Sequence, residues 1–194
     1  MKDLLIVNKP PPNQWKSNQY AVLLEQHVRG AGLADRIGGK FGQFAKNYPK
    51  NNNGYPFETC ASQISYALNY SGFPVTNVEA NQNPQWIKGG IPRALKGGDG
   101  KLYITSVMDM IVYLDGKFGK SIPFKCKDYA ELDRILKDKR GIIAFGFRHV
   151  DLWYQEWNPE THKYEGRSHY YICVDDASSK LRGIFFWDFD APDA

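Results

Sequence analysis

The chain has 194 residues, 42% hydrophobic and 24% charged, with five Trp, twelve Tyr and eleven Phe. That length fits one folded domain, expected to span residues 1–194, and the composition excludes a disordered chain. The formal charge of +4 is spread along the sequence, with no basic run of the kind that tracks a phosphate backbone, so nucleic acid is not an expected partner. Cys60, Cys126 and Cys173 contain no Cys-x-x-Cys pair, so no metal or other cofactor is expected. At most one disulfide, Cys126 with Cys173, fits if Cys60 is kept as a reactive thiol. The apolar run Leu4 to Val7 is cut short by Asn8, Lys9 and Pro10 to Pro12, too short for a signal-peptide core. No apolar stretch approaches the roughly 18 residues of a membrane span, and no membrane insertion is expected.

In chain order, a periodic apolar face from Trp15 through Leu23, Leu24 and Val28 predicts a helix that ends near Gly30 and Gly32. The Gly-rich segment Asp35 to Tyr48 carries no clear pattern, and Pro49 to Pro56 is a polar loop dense in turn formers. From Thr59, a plausible N-cap, Ile64, Ala67 and Leu68 recur at helical spacing until Gly72 and Pro74 stop the helix. Thr105 to Leu114 reads as a buried helix. Asp128-Tyr129-Ala130-Glu131 opens another as a capping box, running to about Lys137. After Gly141 the pattern changes to strands: Ile142 to Phe147, His149 to Trp157, a turn at Asn158 to Thr161, His169 to Val174, and Ile184 to Trp187. Helices first and strands second predict an α+β fold, N-terminal helices packed on a mostly antiparallel C-terminal sheet.

Two residues carry candidate chemistry. Cys60 falls in the first turn of its helix, where free backbone amides and the helix dipole favour negative charge and can hold an oxyanion. A buried structural cysteine is the plainer alternative. His149 shares one strand face with Asp151 and Trp153, and an imidazole beside a thiol takes its proton and later protonates a leaving amine. Such an imidazole needs an orienting group. Pairing Trp157 with His162 across the turn puts Tyr170 opposite His149, which brings His169 close as the favoured third member, with Asp151 as the alternative. Tyr55 and Trp153 are the expected substrate-lining aromatics.

Cysteine at a helix start, then histidine on a strand, then a polar group on the next strand resembles the papain-like NlpC/P60 hydrolases. Glu58-Thr59-Cys60-Ala61-Ser62-Gln63-Ile64-Ser65-Tyr66-Ala67-Leu68-Asn69 is similar to the Asn-Thr-Cys-Ala-x-Arg-Leu-Ser-x-x-Leu-Asn helix of the fourth family of type VI secretion amidase effectors. His149-Val150-Asp151-Leu152-Trp153 resembles that family's Gly-His-x-Asp-Leu-Trp strand, and Phe185-Phe186-Trp187 its closing strand. Glu58, Gln63 and Arg148 depart from the pattern, and Ser168-His169-Tyr170 stands where the family has its catalytic aspartate. The resemblance implies a papain-like fold and a toxin delivered by the type VI secretion apparatus into the periplasm of a target cell. It further implies cleavage of the D-glutamyl–meso-diaminopimelate bond in peptidoglycan and a cognate immunity protein. Two other readings are an acyltransferase or deamidase using the same dyad on a protein, and a non-catalytic wall-binding module.

Overall fold

The computed structural model describes residues 33–47, 60–76, 94–160, 163–167 and 183–189. The expected N-terminal helix, the loop at residues 49–56, the Thr59 cap and the strand at residues 169–174 lie outside them. The described residues divide into two compact units, one ending at Tyr113 and one beginning at Leu114. Helices combine with antiparallel strands throughout, as expected for the α+β class.

The first unit contains α1 (Leu33–Ile37), α2 (Gly39–Asn47), α3 (Cys60–Tyr70), β1 (Ala94–Lys96) and β2 (Leu102–Ile104). Its core joins Leu33, Ile37 and Phe41 to Tyr103, with Tyr66 and Leu95 packed against them. In α3, Ile64, Ala67 and Leu68 are fully buried, which accounts for the helical spacing seen in the sequence. The helix ends in a Schellman turn: Gly72 takes φ +89 and the Phe73 amide donates to the Leu68 carbonyl at 3.0 Å.

A polar stripe at Ser62, Ser65 and Asn69 fastens α3 to β2. Ser62 Oγ donates to the Ile104 carbonyl (2.9 Å), Ser65 Oγ accepts from the Ile104 amide (3.0 Å), and Asn69 Nδ2 donates to the Leu102 carbonyl (2.8 Å). Asn69 Oδ1 also accepts from the Val75 amide at 2.8 Å. Buried polar groups are tolerated because they satisfy backbone groups of β2 and of the chain after the helix. The β1–β2 hairpin pairs Lys96 with Leu102 around the Gly97-Gly98-Asp99-Gly100 turn. The Asp99 carboxylate accepts from the Tyr70 (2.7 Å) and Tyr103 (2.5 Å) hydroxyls. Partial burial would raise the Asp99 carboxyl, but those hydroxyls and the Lys101 amide hold it below its ordinary value.

The unit boundary falls within α4 (Val107–Phe118). This helix starts two residues later than expected, because Ser106 caps it by accepting from the Asp109 amide at 3.3 Å. The second unit continues with α5 (Tyr129–Ile135), β3 (Gly141–Phe145), β4 (His149–Asn158), β5 (Lys163–Arg167) and β6 (Ile184–Asp188). Asp128 caps α5 through Glu131 N, as the sequence predicts, while the Glu131 carboxylate accepts from the Lys127 amide at 2.8 Å. The strands form one antiparallel sheet in the order β5-β4-β3-β6. Leu132 and Leu136 pack on Ile143, Phe145, Trp153, Ile184 and Phe186, with Phe124 and Cys126 completing the cluster. Cys126 is therefore a core residue, and Cys173 lies outside the described residues. Gly141 has no side chain because a Cβ there would collide with the Trp187 carbonyl on β6.

Asp115, on the part of α4 in this unit, accepts from the Ser121 amide (2.9 Å) and from Trp187 Nε1 (3.2 Å). Burial pushes its carboxyl above the ordinary value despite these bonds. A carboxyl raised on folding binds its proton more tightly in the folded state, so stability is fully present at low pH and declines as pH rises past about 4. Asp115→Asn keeps an acceptor oxygen and is expected to be more stable than the unaltered chain at pH 7. Thermal melts from pH 7 down to pH 3 should show that advantage shrinking; a constant difference would contradict the assignment.

Candidate active site

Cys60 is the first residue of α3 and a buried free thiol, 5% exposed. Its backbone is thus in the first helical turn, whose amides lack intrahelical acceptors, so the position read from the sequence agrees with the structure. The Ser62, Ser65 and Asn69 bonds to β2 and the chain after the helix fix α3 within its unit, and with it the backbone of Cys60. The sequence signal for this fastening is serine at i and i+3 with asparagine at i+7 on one helix face.

His149, Asp151 and Trp153 alternate along β4 and face the same side, paired across the sheet with Phe145, Ile143 and Gly141. The His149 ring lies over Phe145, centroids 6.4 Å apart and nearly parallel. Asp151 is a buried carboxylate whose Oδ1 accepts from the Leu152 amide at 2.8 Å and whose Oδ2 lies 3.7 Å from His149 Nε2. The structure therefore brings the alternative orienting group, Asp151, to the imidazole. The separation is within ion-pair range but longer than a hydrogen bond.

Trp153, the second candidate for lining a groove, is fully buried. It packs against the Tyr129 ring at 5.8 Å and donates from Nε1 to the Leu136 carbonyl at 3.3 Å. Tyr55 and His169 lie outside the described residues. The hairpin register differs from the expected one: Trp157 pairs with Tyr164 and Tyr154 with Arg167, a shift of two residues. Pro159 has no amide to continue the ladder, and pairing closes at Asn158 with Lys163, so a turn of the expected four residues lies one position later in the chain. Among the described residues no three His, Cys, Asp or Glu side chains are grouped to hold a metal ion, and no helix is long and apolar enough to cross a membrane.

No curated protein sequence matches the chain. Its fold is similar to that of the type VI effector Tae4 from Enterobacter cloacae in complex with Tai4 (TM-score 0.55, 23% identity, covering 89% of this chain and 96% of that one). It is also similar to Tae4 from Enterobacter cloacae alone (TM-score 0.50, 21% identity, 89% and 94% covered). The family model for the type VI secretion system (T6SS) amidase effector protein 4, Tae4, matches residues 57–187, a span that contains Cys60, His149 and Asp151. The chain therefore belongs to the amidase effector 4 family of the type VI secretion system.

Proposed function

We propose that this amidase effector is a cysteine-dependent peptidoglycan hydrolase of the papain-like NlpC/P60 kind, with Cys60 as nucleophile and His149 as its base. The observation that carries the reading is the free thiol of Cys60 on the first residue of α3, inside the segment matched by an amidase family. Attack of Sγ on the amide carbon forms a carbon–sulfur bond, and the thiol proton passes to His149. Amides of the first helical turn hold the oxyanion. Collapse breaks the carbon–nitrogen bond as His149 returns the proton to the departing amine. Water then hydrolyses the thioester, with the imidazole accepting its proton, and restores the thiol.

The bond assigned to the enzyme is that between D-glutamate and meso-diaminopimelate in the stem peptide, as the sequence resemblance implies. Delivery by the type VI apparatus would bring the protein to the periplasm of a target cell. Tae4 of Enterobacter cloacae has been solved with Tai4 in an effector–immunity complex, which supports a cognate immunity protein for this chain. The third member of the site is His169, on the segment after β5, with Asp151 as the alternative that its approach to His149 supports. Tyr55 is retained as a substrate-lining residue.

Treatment of the folded protein with iodoacetamide tests this reading. Alkylation mapped to Cys60, with loss of fragment release from sacculi in proportion to labelling, is the expected result. Complete labelling of Cys60 with undiminished release would overturn it. An inert Cys60 in a protein that releases nothing would leave a wall-binding module in its place.

A further inference from the structure

The D-glutamyl–meso-diaminopimelate linkage carries a charge close to the bond to be cut. In a γ-linked D-glutamate the α-carboxylate is free, about 5 Å from the carbonyl carbon under attack when the intervening chain is extended. The diaminopimelate carboxyl nearest the scissile nitrogen is instead consumed in the next amide of a stem that continues to D-alanine. A site that holds this bond therefore brings an anion near the base, and an anion that gives up water without gaining a partner weakens binding. A cation beside His149 is the complement of such a substrate.

Arg148 directly precedes His149 and is exposed. It ends the turn between β3 and β4, and each residue of that turn is held. The Gly146 amide donates to the Gly183 carbonyl at 2.9 Å, the Phe147 ring lies over Phe185 with centroids 6.1 Å apart, and the Arg148 amide donates to the Phe145 carbonyl at 3.3 Å. The backbone that carries the guanidinium is thus fixed beside the backbone that carries the imidazole, with Cα atoms about 3.8 Å apart. The other cations around the sheet stand farther off. Arg140 precedes Gly141, which pairs with Trp153, and Arg167 pairs with Tyr154; these partners are four and five residues along β4 from His149, or about 14 and 17 Å. Lys125 follows Phe124, which bridges to Ile184 on β6, three strand spacings or about 14 Å from β4. Arg148 is also a position where the chain departs from the family pattern, which has glycine there. Glycine offers no side chain, so recognition supplied by Arg148 is particular to this chain.

We infer that Arg148 is a specificity-determining residue that binds the free α-carboxylate of the D-glutamate at the scissile bond. The planar guanidinium matches a carboxylate with two parallel N–H···O bonds, a geometry that an ammonium or an amide does not reproduce. The inference takes its substrate from the amidase reading and rests on it to that extent. A stem whose α-carboxylate is amidated presents a neutral group there and forfeits the charge-assisted pair.

The test titrates two synthetic stem tetrapeptides into the full chain carrying Cys60→Ala, so that they stay intact: one with D-glutamate, the other with its α-carboxylate converted to the amide. Calorimetry is expected to show the acid bound about tenfold more tightly, the weight of a hydrogen bond to a charged group. Adding Arg148→Gln is expected to bring that ratio close to one, and Arg148→Lys, which keeps the charge without the fork, to leave an intermediate ratio. With Cys60 in place the same preference should appear in kcat/KM, carried mainly by KM. Each ratio compares two peptides on one protein, so a general loss of fold or activity does not imitate the effect. A preference for the acid that survives Arg148→Gln would overturn the inference, as would equal binding of the two peptides, or binding of neither, by the chain that keeps Arg148. An unaltered protein that cuts neither peptide, while Cys60→Ala still prefers the acid through Arg148, would count against the amidase reading and leave the carboxylate site standing.

Discussion

Replacing Cys60 with alanine is expected to abolish amide hydrolysis, lowering kcat by about 10⁴-fold or more, the scale on which loss of a nucleophile acts. Alanine favours the helix and removes only the sulfur, so the protein should fold normally, with a melting midpoint close to that of the unaltered chain. The positions that fasten α3 to β2 and the chain after it, Ser62, Ser65 and Asn69, are untouched by this change. A loss of activity with retained stability therefore points to chemistry and not to collapse of the helix. Serine is a stricter probe, because its oxygen is a far weaker nucleophile than a thiolate at neutral pH, and Cys60→Ser is expected to be as inactive as the alanine variant. Kinetics on soluble stem-peptide substrate, alongside thermal melts, checks both.

Trp153→Ala is expected to cost about 3–5 kcal/mol of folding stability, the upper range for truncation of a buried aromatic. Trp153 is fully buried among Leu132, Leu136, Ile143 and Phe186, stacks obliquely on Tyr129, and satisfies the Leu136 carbonyl through its indole N–H. Truncation opens a cavity between α5 and the sheet and leaves that carbonyl without the indole donor. Since His149 and Asp151 sit on the same strand, hydrolysis should fall as the fold is lost, and it should recover when the variant is assayed well below its own melting midpoint. Trp153→Phe, which keeps most of the packing, should lose less stability than Trp153→Ala. Urea denaturation measures the difference; a loss below about 1 kcal/mol for Trp153→Ala would contradict a core role.

Much of this was legible in the residues because local patterns and tertiary packing agree. Helix α3 announces itself by Ile64, Ala67 and Leu68, and its end by Gly72; the structure buries the first three and places the glycine at positive φ. The capping residues Asp128 and Glu131 mark the start of α5 for the same reason, since they satisfy amides that the helix leaves open. Strands β3, β4 and β6 were readable from apolar runs, with His149 at the first residue of β4. The β1–β2 hairpin was not, because strands of three residues carry too little alternation to stand out. The turn between β4 and β5 was legible in kind and length but was placed one residue early, and moving a turn of fixed length by one residue shifts the register by two. Proline at the start of the turn stops the ladder without fixing where the returning strand rejoins it. Asp151 was legible as a residue on the face of His149, but its 3.7 Å approach to the imidazole was not, since that depends on a side-chain rotamer in which the Leu152 amide holds the other carboxylate oxygen.

The account is tested most directly by incubating purified Gram-negative sacculi with the unaltered protein and with Cys60→Ala, and identifying the soluble fragments by mass spectrometry. It predicts fragments from the unaltered protein alone, carrying a newly freed amine on diaminopimelate. Fragments of equal yield from both proteins would contradict cysteine catalysis, and fragments cut at a different bond would contradict the assigned linkage.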